Sequence, residues 1–434
     1  MTKQRRQYGL WSSPISPVSL AEGRRLDGVA WDSDGQTVVW LEGRSGRGVL
    51  VAQTGDDAPR DLNSELSVRA EVGYGGGDFT VHGGDVYFVV HKSGRIFRQS
   101  LAGGGAAPIT PAFGKAAAPV VSPDGRWLVY VHHDDPYDRL AVVDTQGRHW
   151  PRILASGDDF YMQPRFSPDG KRLAWVAWNH PNMPWDATRL FVAEVVDGEL
   201  PRLTNERAVA GGDDIAIFQP EFARDGRQLL YVSDETGWGR IAAQELATGE
   251  TRWLTPNGTE LALPAWVQDM RTYAVLTDGR LIAAAGARGY HRLQMIDVAS
   301  GAIQPIEGLA DYSEVSYLAA SPVAAQVALI ASNPKAPPRV VRYDVAGQTT
   351  RVLARATGET VPAAALASCE AISWTTAGGE QAHGLFYRPF NDRYEGVGRP
   401  PLIALIHGGP TSQMRAGWRA EAQFFATRGY AVLF

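Results

Sequence analysis

The sequence predicts a mainly β protein, a seven-bladed β-propeller followed by the N-terminal part of an α/β domain. One observation is a turn-and-strand unit that recurs between about residues 21 and 365. The other is a strand, glycine turn, helix and strand pattern that begins near residue 400. A chain of 434 residues also exceeds what one hydrophobic core usually serves, so two domains or one large repeat structure is expected.

The repeated unit is a tight Asp-Gly turn that leads into a strand of alternating and aromatic residues. Five clear copies begin at Asp32, His82, Ser122, Ser167 and Ala223, and two weaker ones occupy Val267–Leu276 and Ser321–Ile330. The spacing of about 40 to 55 residues suits a four-stranded propeller blade. Such a turn indicates the architecture and gives no specific information about catalysis.

The second pattern starts with the unbroken apolar run Leu402–Ile406, which predicts a strand buried on both faces of a mostly parallel sheet. The turn His407-Gly-Gly-Pro ends this run, and a helix and a second strand, Tyr430–Phe434, are expected to follow. The expected helix has Thr411 or Ser412 as N-cap and one face formed by Met414, Trp418, Ala422 and Phe425. Upstream, Glu370–Thr376 and Ala382–Arg388 predict an antiparallel pair. Taken alone, the glycine turn is compatible with a plain strand-to-helix connection without chemistry.

Composition and charge exclude several classes of function. The net charge of −5 gives no reason to expect nucleic acid or an anionic membrane as a partner. A single cysteine, Cys369, rules out an internal disulfide framework, and no cysteine cluster offers a metal site. No run has the apolar core of a signal peptide or the length of a membrane span, so a cytoplasmic location is expected, and no cofactor is implied.

Several segments resemble the prolyl oligopeptidase family of serine peptidases, in its acylaminoacyl-peptidase and aminopeptidase branch. They are the His407-Gly-Gly-Pro turn, the loop Trp178–Asp186, the stretches Val209–Pro220 and Ser233–Trp238, and the start Tyr8–Ser16. The resemblance implies an N-terminal segment (1–20) packed near the hydrolase domain, a seven-bladed propeller (21–365) and the start of an α/β-hydrolase domain (366–434). It also implies hydrolysis of short peptides, with the propeller limiting access.

By this resemblance, the backbone N–H of Gly408 forms part of an oxyanion hole, and His407 and Gly409 set the geometry of the turn. The family also requires a nucleophile on a G-x-S-x-G turn, followed by an acid and a histidine. No such pentapeptide occurs, and the nearest sequence, Gly43–Arg47, lacks the final glycine. We therefore expect the chain to be cut before the triad, to be inactive alone and to expose an apolar sheet edge.

Substrate recognition in an aminopeptidase needs a carboxylate for the substrate ammonium group. Asp213 and Asp214 lie in a Gly-Gly loop where related enzymes often carry acidic residues, although a solvated turn is the alternative interpretation. Ile215 and Ala216 stand where many relatives have glutamate and serine, which puts aminopeptidase specificity in doubt. Trp185 and Asp186 are candidates for lining the pocket or, alternatively, for bracing their own loop.

The rival hypothesis is a non-catalytic propeller that binds peptides or a protein partner. The sequence does not decide between exopeptidase and oligopeptidase activity. It also leaves open the cleavage-site preference, homo-oligomerisation and whether the 434-residue form is natural or a fragment.

Overall fold

A computed structural model describes residues 2–21, 23–409 and 411–434 of the chain. At the N-terminus a short strand, β1 (Gln4–Arg5), is followed by a 3₁₀ turn at Val18–Leu20. Almost all of the remaining regular structure is strand, so the prediction of a mainly β protein is confirmed.

Between residues 25 and 355, the described chain forms seven consecutive four-stranded antiparallel sheets, each with its strands side by side in chain order. Many such sheets in series match a propeller. Their strands are β2–β5 (Arg25–Trp31, Thr37–Arg44, Arg47–Thr54, Arg60–Asp61), β6–β9 (Phe79–His82, Asp85–Val89, Ile96–Ser100, Ala107–Pro108), β10–β13 (Lys115–Val121, Trp127–Asp134, Tyr137–Asp144, Arg152–Ala155), β14–β17 (Phe160–Phe166, Arg172–Trp178, Arg189–Val196, Arg202–Gly211), β18–β21 (Ile217–Phe222, Gln228–Ser233, Arg240–Glu245, Thr251–Trp253), β22–β25 (Tyr273–Val275, Leu281–Ala287, Tyr290–Ile296, Ile303–Pro305) and β26–β29 (Glu314–Ala320, Gln326–Asn333, Ala336–Asp344, Thr349–Arg355).

The Asp-Gly turns of the repeat join the first and second strands of their sheets. In the turn between β10 and β11, for example, the Ser122 side chain accepts a hydrogen bond from the Trp127 N–H at 3.0 Å and donates one to Asp124 at 2.5 Å. The turn between β14 and β15 repeats this arrangement with Ser167 and Asp169. The sequence repeat therefore marks the same corner of successive sheets.

The core lies between the faces of neighbouring sheets, and each buried cluster joins one sheet to the next. The last sheet packs against the first, because Trp31 and Trp40 share a buried cluster with Ala328 and Val340. In addition, the indole N–H of Trp31 donates a hydrogen bond to the Ala319 carbonyl at 2.9 Å. The succession of sheets thus closes into a ring through tryptophan packing.

In every sheet, one residue with positive φ lies in the innermost strand or within four positions before it. These residues are Gly28, Gly77, Ala118, Gln163, Gln219, Asp269 and Tyr317, with φ between 48° and 63°. In five of the seven sheets a register shift marks the same place. Such bulges bend a strand and turn its side chains. Five of the positive-φ residues (Gly28, Gly77, Ala118, Asp269 and Tyr317) line a central cavity of about 190 Å³, to which all seven sheets contribute.

An eighth sheet follows the seven, with the strand order β30–β31–β34–β33. Its strands are β30 (Cys369–Thr375), β31 (Gln381–Tyr387), β33 (Leu402–Ala404) and β34 (Ala431–Leu433), while β32 (Tyr394–Glu395) pairs in parallel with β1. The antiparallel pair β30 and β31 lies within one residue of the predicted bounds, so that prediction is confirmed. Strands β33 and β34 are parallel, as a strand–helix–strand unit requires.

The predicted helix starts later than expected: α1 covers Ala420–Ala426, with Arg419 as its N-cap residue. The prediction of a cap at Thr411 or Ser412 is therefore wrong. Residues 411–419 are irregular because their backbone groups bond to the ring of sheets. The Ala416 N–H donates to the Gly289 carbonyl at 2.8 Å, and the Ser313 hydroxyl donates to the Ala416 carbonyl. Tertiary hydrogen bonds here replace those of a helical turn.

The prediction that Leu402–Ile406 is buried on both faces is also wrong for the described chain. Strand β33 lies at the edge of the eighth sheet, where Leu402 is 56% exposed and Ile406 is 93% exposed. The expected exposed apolar edge is present, because β33 has a partner strand on one side only among the described residues.

Candidate active site

The His407-Gly-Gly-Pro turn leaves the C-terminal end of β33, the edge where parallel sheets bind ligands. The backbone of Gly408 is exposed, and its N–H makes no hydrogen bond to any residue that the structure describes. Gly409 has φ of 142°, a conformation that side chains with a Cβ rarely adopt. Pro410 lies outside the described residues. The turn therefore presents a free backbone donor, as an oxyanion hole requires.

His407 is exposed, and its Nδ1 lies 3.0 Å from the carbonyl oxygen of Gly408 within the same turn. This contact stiffens the turn locally. No carboxylate is placed to orient the imidazole among the residues that the structure describes. The geometry accordingly fits a shaping role for His407 and offers no base–acid pair.

A cavity of about 360 Å³ opens beside the turn, lined by His407, Met414, Phe434 and residues of β30 and β31. On its wall, the Ser373 hydroxyl lies 2.8 Å from Nδ1 of His383, its cross-strand partner. Both residues are exposed or half-buried on regular antiparallel strands. Ser373 thus lacks the strained strand-to-helix turn of a hydrolase nucleophile.

Trp266 joins the ring of sheets to the turn, although sequence reasoning did not select it. Its indole N–H donates a hydrogen bond to the Thr411 carbonyl at 2.8 Å. Two aromatic rings pack on this indole: Trp185 at 4.3 Å and Tyr74 at 5.1 Å between centroids. Trp266 directly precedes the weak repeat copy at Val267, and no spacing rule singled it out.

The structure thus brings Trp185 of the Trp178–Asp186 loop to the turn through Trp266. Asp186 instead braces its own loop, because its carboxylate accepts a hydrogen bond from the Met183 N–H at 2.9 Å. The backbone N–H of Asp186 also donates to the Met183 carbonyl at 3.0 Å. The hydrogen bonds of Asp186 agree with bracing of the loop, and pocket lining by Trp185 stays a prediction.

Asp213 and Asp214 occupy the tight connection between β17 and β18, where Asp214 has φ of 61°. The Asp213 side chain is 99% exposed and lies 3.8 Å from the Arg189 guanidinium. Neither aspartate has a hydrogen bond or aromatic contact with the turn, with Trp185 or with Trp266 among the described residues. The structure therefore does not unite this acidic pair with the remaining candidates.

The propeller axis carries a partly buried charge network that the sequence did not reveal. Arg165 contacts Glu221 at 3.1 Å and Asp269 at 2.7 Å, and Arg271 also contacts Asp269 at 3.0 Å. Burial alone would lower the pKa of Arg165, but the two carboxylates outweigh burial and raise it. The network links three sheets across the axis and narrows the central cavity.

Asp78 lines the same cavity, and burial raises the pKa of its carboxyl to about 6. One of its oxygens accepts a hydrogen bond from the Ala70 N–H at 2.7 Å. A few residues earlier, the Gly75 carbonyl accepts a hydrogen bond from the Gln268 N–H at 2.8 Å. This short stretch therefore runs from the axis to the aromatic contact of Tyr74 with Trp266.

Within residues 2–21, 23–409 and 411–434, no group of three or more His, Cys, Asp or Glu side chains is placed to hold a metal ion. In the same residues, no helix combines the length and apolarity needed to span a bilayer.

No protein-family model matches the chain. A TolB homolog of Chlorobium luteolum is 25% identical over 176 residues, which are 40% of this chain and 37% of that protein. Among solved structures, a puromycin-hydrolyzing peptidase of Mycobacterium tuberculosis has a TM-score of 0.91 and 29% identity, covering 99% of this chain and 68% of that one.

A second solved structure, a puromycin hydrolase, is 30% identical with a TM-score of 0.88, covering 99% of this chain and 69% of that one. Prolyl oligopeptidase B of Galerina marginata shares the fold, with a TM-score of 0.71 and 13% identity over 95% of this chain and 62% of that one. The likenesses place the chain among peptidases. It belongs to the prolyl oligopeptidase family, which confirms the resemblance found in the sequence.

Proposed function

We propose that this chain supplies the propeller and the oxyanion turn of a serine peptidase that hydrolyses short peptides. The observation that carries the proposal is the free N–H of Gly408 in a glycine turn after a parallel strand. A donor aimed at a developing oxyanion stabilises the tetrahedral intermediate of acyl transfer, and one such donor is worth about 10²–10³ in kcat. The 30% identity to a puromycin hydrolase over 99% of this chain supports the same reaction class.

The proposed domain organisation comprises an N-terminal segment (1–20), a seven-bladed propeller (21–365) and the start of an α/β-hydrolase domain (366–434). The ring of seven four-stranded sheets supports the propeller. The parallel pair β33 and β34, with α1 between them in sequence, supports the start of a hydrolase domain. The carboxylate and arginine network at the axis supports a role of the propeller in limiting access.

For specificity, we propose that Trp185 contributes an apolar wall next to the oxyanion turn and that Asp213 and Asp214 attract the ammonium group of an aminopeptidase substrate. The exposed position of Asp213 beside Arg189 makes this contact weak and long-range. An acylaminoacyl-peptidase, whose substrates lack that ammonium group, would not need the acidic pair. Replacing both aspartates by asparagine should raise KM for free peptides and leave KM for N-acetylated peptides unchanged.

The chain's own residues supply the donor of the oxyanion hole, and no G-x-S-x-G pentapeptide occurs in its 434 residues. The second candidate is a non-catalytic propeller that binds peptides or a protein partner. Labelling by a fluorophosphonate probe separates the two. An extract of the source organism is treated with the probe, and the protein is immunoprecipitated through its propeller and sized on a gel. A labelled band larger than 47.0 kDa supports the peptidase hypothesis. An unlabelled band at 47.0 kDa supports the binding-module hypothesis instead.

A further inference from the structure

We infer that Trp266 is a positioning residue for the oxyanion turn: its indole N–H holds the Thr411 carbonyl and so sets the direction of the Gly408 N–H. The catalytic meaning of this inference rests on the proposed function, whereas the mechanical link does not. The link would make the geometry of the turn depend on the propeller, from which Trp266 projects.

The hydrogen bond from Trp266 is the principal tie of an otherwise unsupported stretch. Before the turn, the Leu405 N–H is still bonded to the Leu433 carbonyl at 2.8 Å within the sheet. After it, the Ala416 N–H is bonded to Gly289. Between Ile406 and Gln413, Trp266 makes the one hydrogen bond that reaches in from elsewhere among the residues described. Losing that bond would free the turn between two fixed points.

The indole is itself held in place, as a positioning role demands. Trp185 and Tyr74 pack on it from two sides, with centroid distances of 4.3 and 5.1 Å. The backbone beside it is paired as well, because the Gln268 N–H bonds to the Gly75 carbonyl at 2.8 Å. Ordering an indole costs little additional entropy when its neighbours already restrict it. The donor is therefore preorganised toward Thr411.

The far end of the segment is anchored by an ion pair, which confines the freedom to the turn. Arg419 contacts Glu314 of β26 at 3.0 Å, and both side chains are about three-quarters buried. The Gln423 side chain adds hydrogen bonds to Pro334 at 2.7 Å and to Ala367 at 2.8 and 2.9 Å. A change at position 266 should accordingly alter residues 405–414 and leave α1 in place.

The contact between the rings of Trp185 and Trp266 also suggests how a bound substrate could affect the turn. Trp185 lies at the end of the Trp178–Asp186 loop, and its ring rests on the indole that holds Thr411. A substrate side chain that pressed on Trp185 would thus act on the oxyanion donor through one intervening residue. Binding energy from outside the reacting centre is often used in this way to orient a site.

Hydrogen–deuterium exchange of the full 434-residue chain tests the mechanical link. The variant Trp266→Phe keeps an aromatic ring against Trp185 and Tyr74 and removes the N–H donor. We expect the hydrogen-bonded amides at the two ends of the stretch, Leu405 and Ala416, to exchange about three- to tenfold faster, the change that loss of one hydrogen bond produces. The matched control is Trp238→Phe, which alters an exposed indole on the propeller and should leave this segment unchanged.

Equal exchange in Trp266→Phe, Trp238→Phe and the unaltered chain, at equal urea midpoints, overturns the inference. If Trp266→Phe folds poorly, Trp185→Leu serves instead, because it loosens the packing that holds the indole and keeps the N–H. That variant should raise exchange at Leu405 and Ala416 by a smaller factor than Trp266→Phe, and unchanged exchange again overturns the inference.

Kinetics with an active preparation of the peptidase then separate positioning from substrate contact. Loss of an oxyanion donor's alignment lowers kcat, while KM stays within about twofold, because the donor acts in the transition state. A rise in KM with unchanged kcat would assign Trp266 to substrate binding and overturn the positioning role. Faster exchange in a protein that fluorophosphonate never labels would keep the mechanical link and reject the proposed peptidase instead.

Discussion

The hydroxyl groups of Ser13 and Thr427 lie 2.7 Å apart, although 414 positions separate them in the chain. Around this contact, the Gly9 N–H donates to the Arg428 carbonyl at 2.9 Å, and Arg428 donates in turn to the Ile15 carbonyl at 2.7 Å. The N-terminal segment therefore packs on the end of α1. The eighth sheet depends on residues from both ends of the chain.

Asn391 should be the most sensitive single position in this packing. Its side-chain amide donates to the Ser12 and Thr427 carbonyls, each at 2.9 Å, and only 2% of its surface is exposed. Replacement by alanine leaves two carbonyls without their partner, at a cost of about 1–3 kcal/mol in the free energy of unfolding. Limited proteolysis should show faster cleavage after residue 366 in Asn391→Ala, with the ring of sheets still protected. Exposed Asp392→Ala is the control, and equal cleavage of both variants contradicts the prediction.

Asp78 should make the protein less stable as the pH rises. Its folded pKa is raised to about 6 by burial, above the ordinary value of 3.8, so the folded state holds the proton longer than the unfolded state. The stability that this group contributes is present below pH 3.8 and is lost as pH rises through about 6. Asp78→Asn keeps an acceptor for the Ala70 N–H. In this variant the urea midpoint should change less with pH between pH 4 and 7. Asp392→Asn should keep the slope of the unaltered chain, and a parallel slope in Asp78→Asn would show that another group controls it.

His291 should make the protein less stable as the pH falls, the opposite of the effect of Asp78. Burial, aided by Arg415, lowers its folded pKa from 6.5 to about 3, and its Nδ1 accepts a hydrogen bond from the Val315 N–H at 3.0 Å. A neutral buried imidazole contributes stability above pH 6.5 that is lost as the pH falls toward 3. The denaturation midpoint of His291→Gln should therefore be lower at pH 7 and should change less with pH between 6.5 and 4. The exposed His407→Gln serves as control, and identical acid slopes in all three proteins would refute the prediction.

Gly409 and Gly408 should differ in their tolerance of a Cβ. Gly409 adopts φ of 142°, where an L side chain is strained, and a Cβ there would come within 3.1 Å of the Thr411 nitrogen. A Cβ on Gly408 meets no atom within 4 Å. In the active peptidase we expect Gly409→Ala to lower kcat by about 10²-fold, because the oxyanion donor turns away, and Gly408→Ala to have a smaller effect. Hydrolysis of peptide 4-nitroanilides measures both rates, and equal losses in the two variants would contradict the geometric argument.

The repeat turns and the pair β30 and β31 could be predicted because local chemistry dictates them. In an Asp-Gly turn the aspartate carboxylate accepts a hydrogen bond from a backbone N–H of the same turn, as Asp124 does from the Arg126 N–H at 3.1 Å. This bond forms whatever surrounds the turn. Alternating strands report which face is buried, so the sheets and their corners could be recognised without a template. The glycine turn at His407 could be predicted for the same reason, since two adjacent glycines follow an apolar run.

The late start of α1 and the role of Trp266 could not be predicted in this way. Each depends on residues far apart in sequence, such as Gly289 with Ala416 and Trp266 with Thr411. Helical periodicity at Met414 and Trp418 is real, but backbone groups that find partners on another element no longer need a helix. The sequence by itself thus determined the repeat, the family and the turn. Only the tertiary structure decided which side chains reach that turn, because long-range hydrogen bonds leave no periodic trace in the chain.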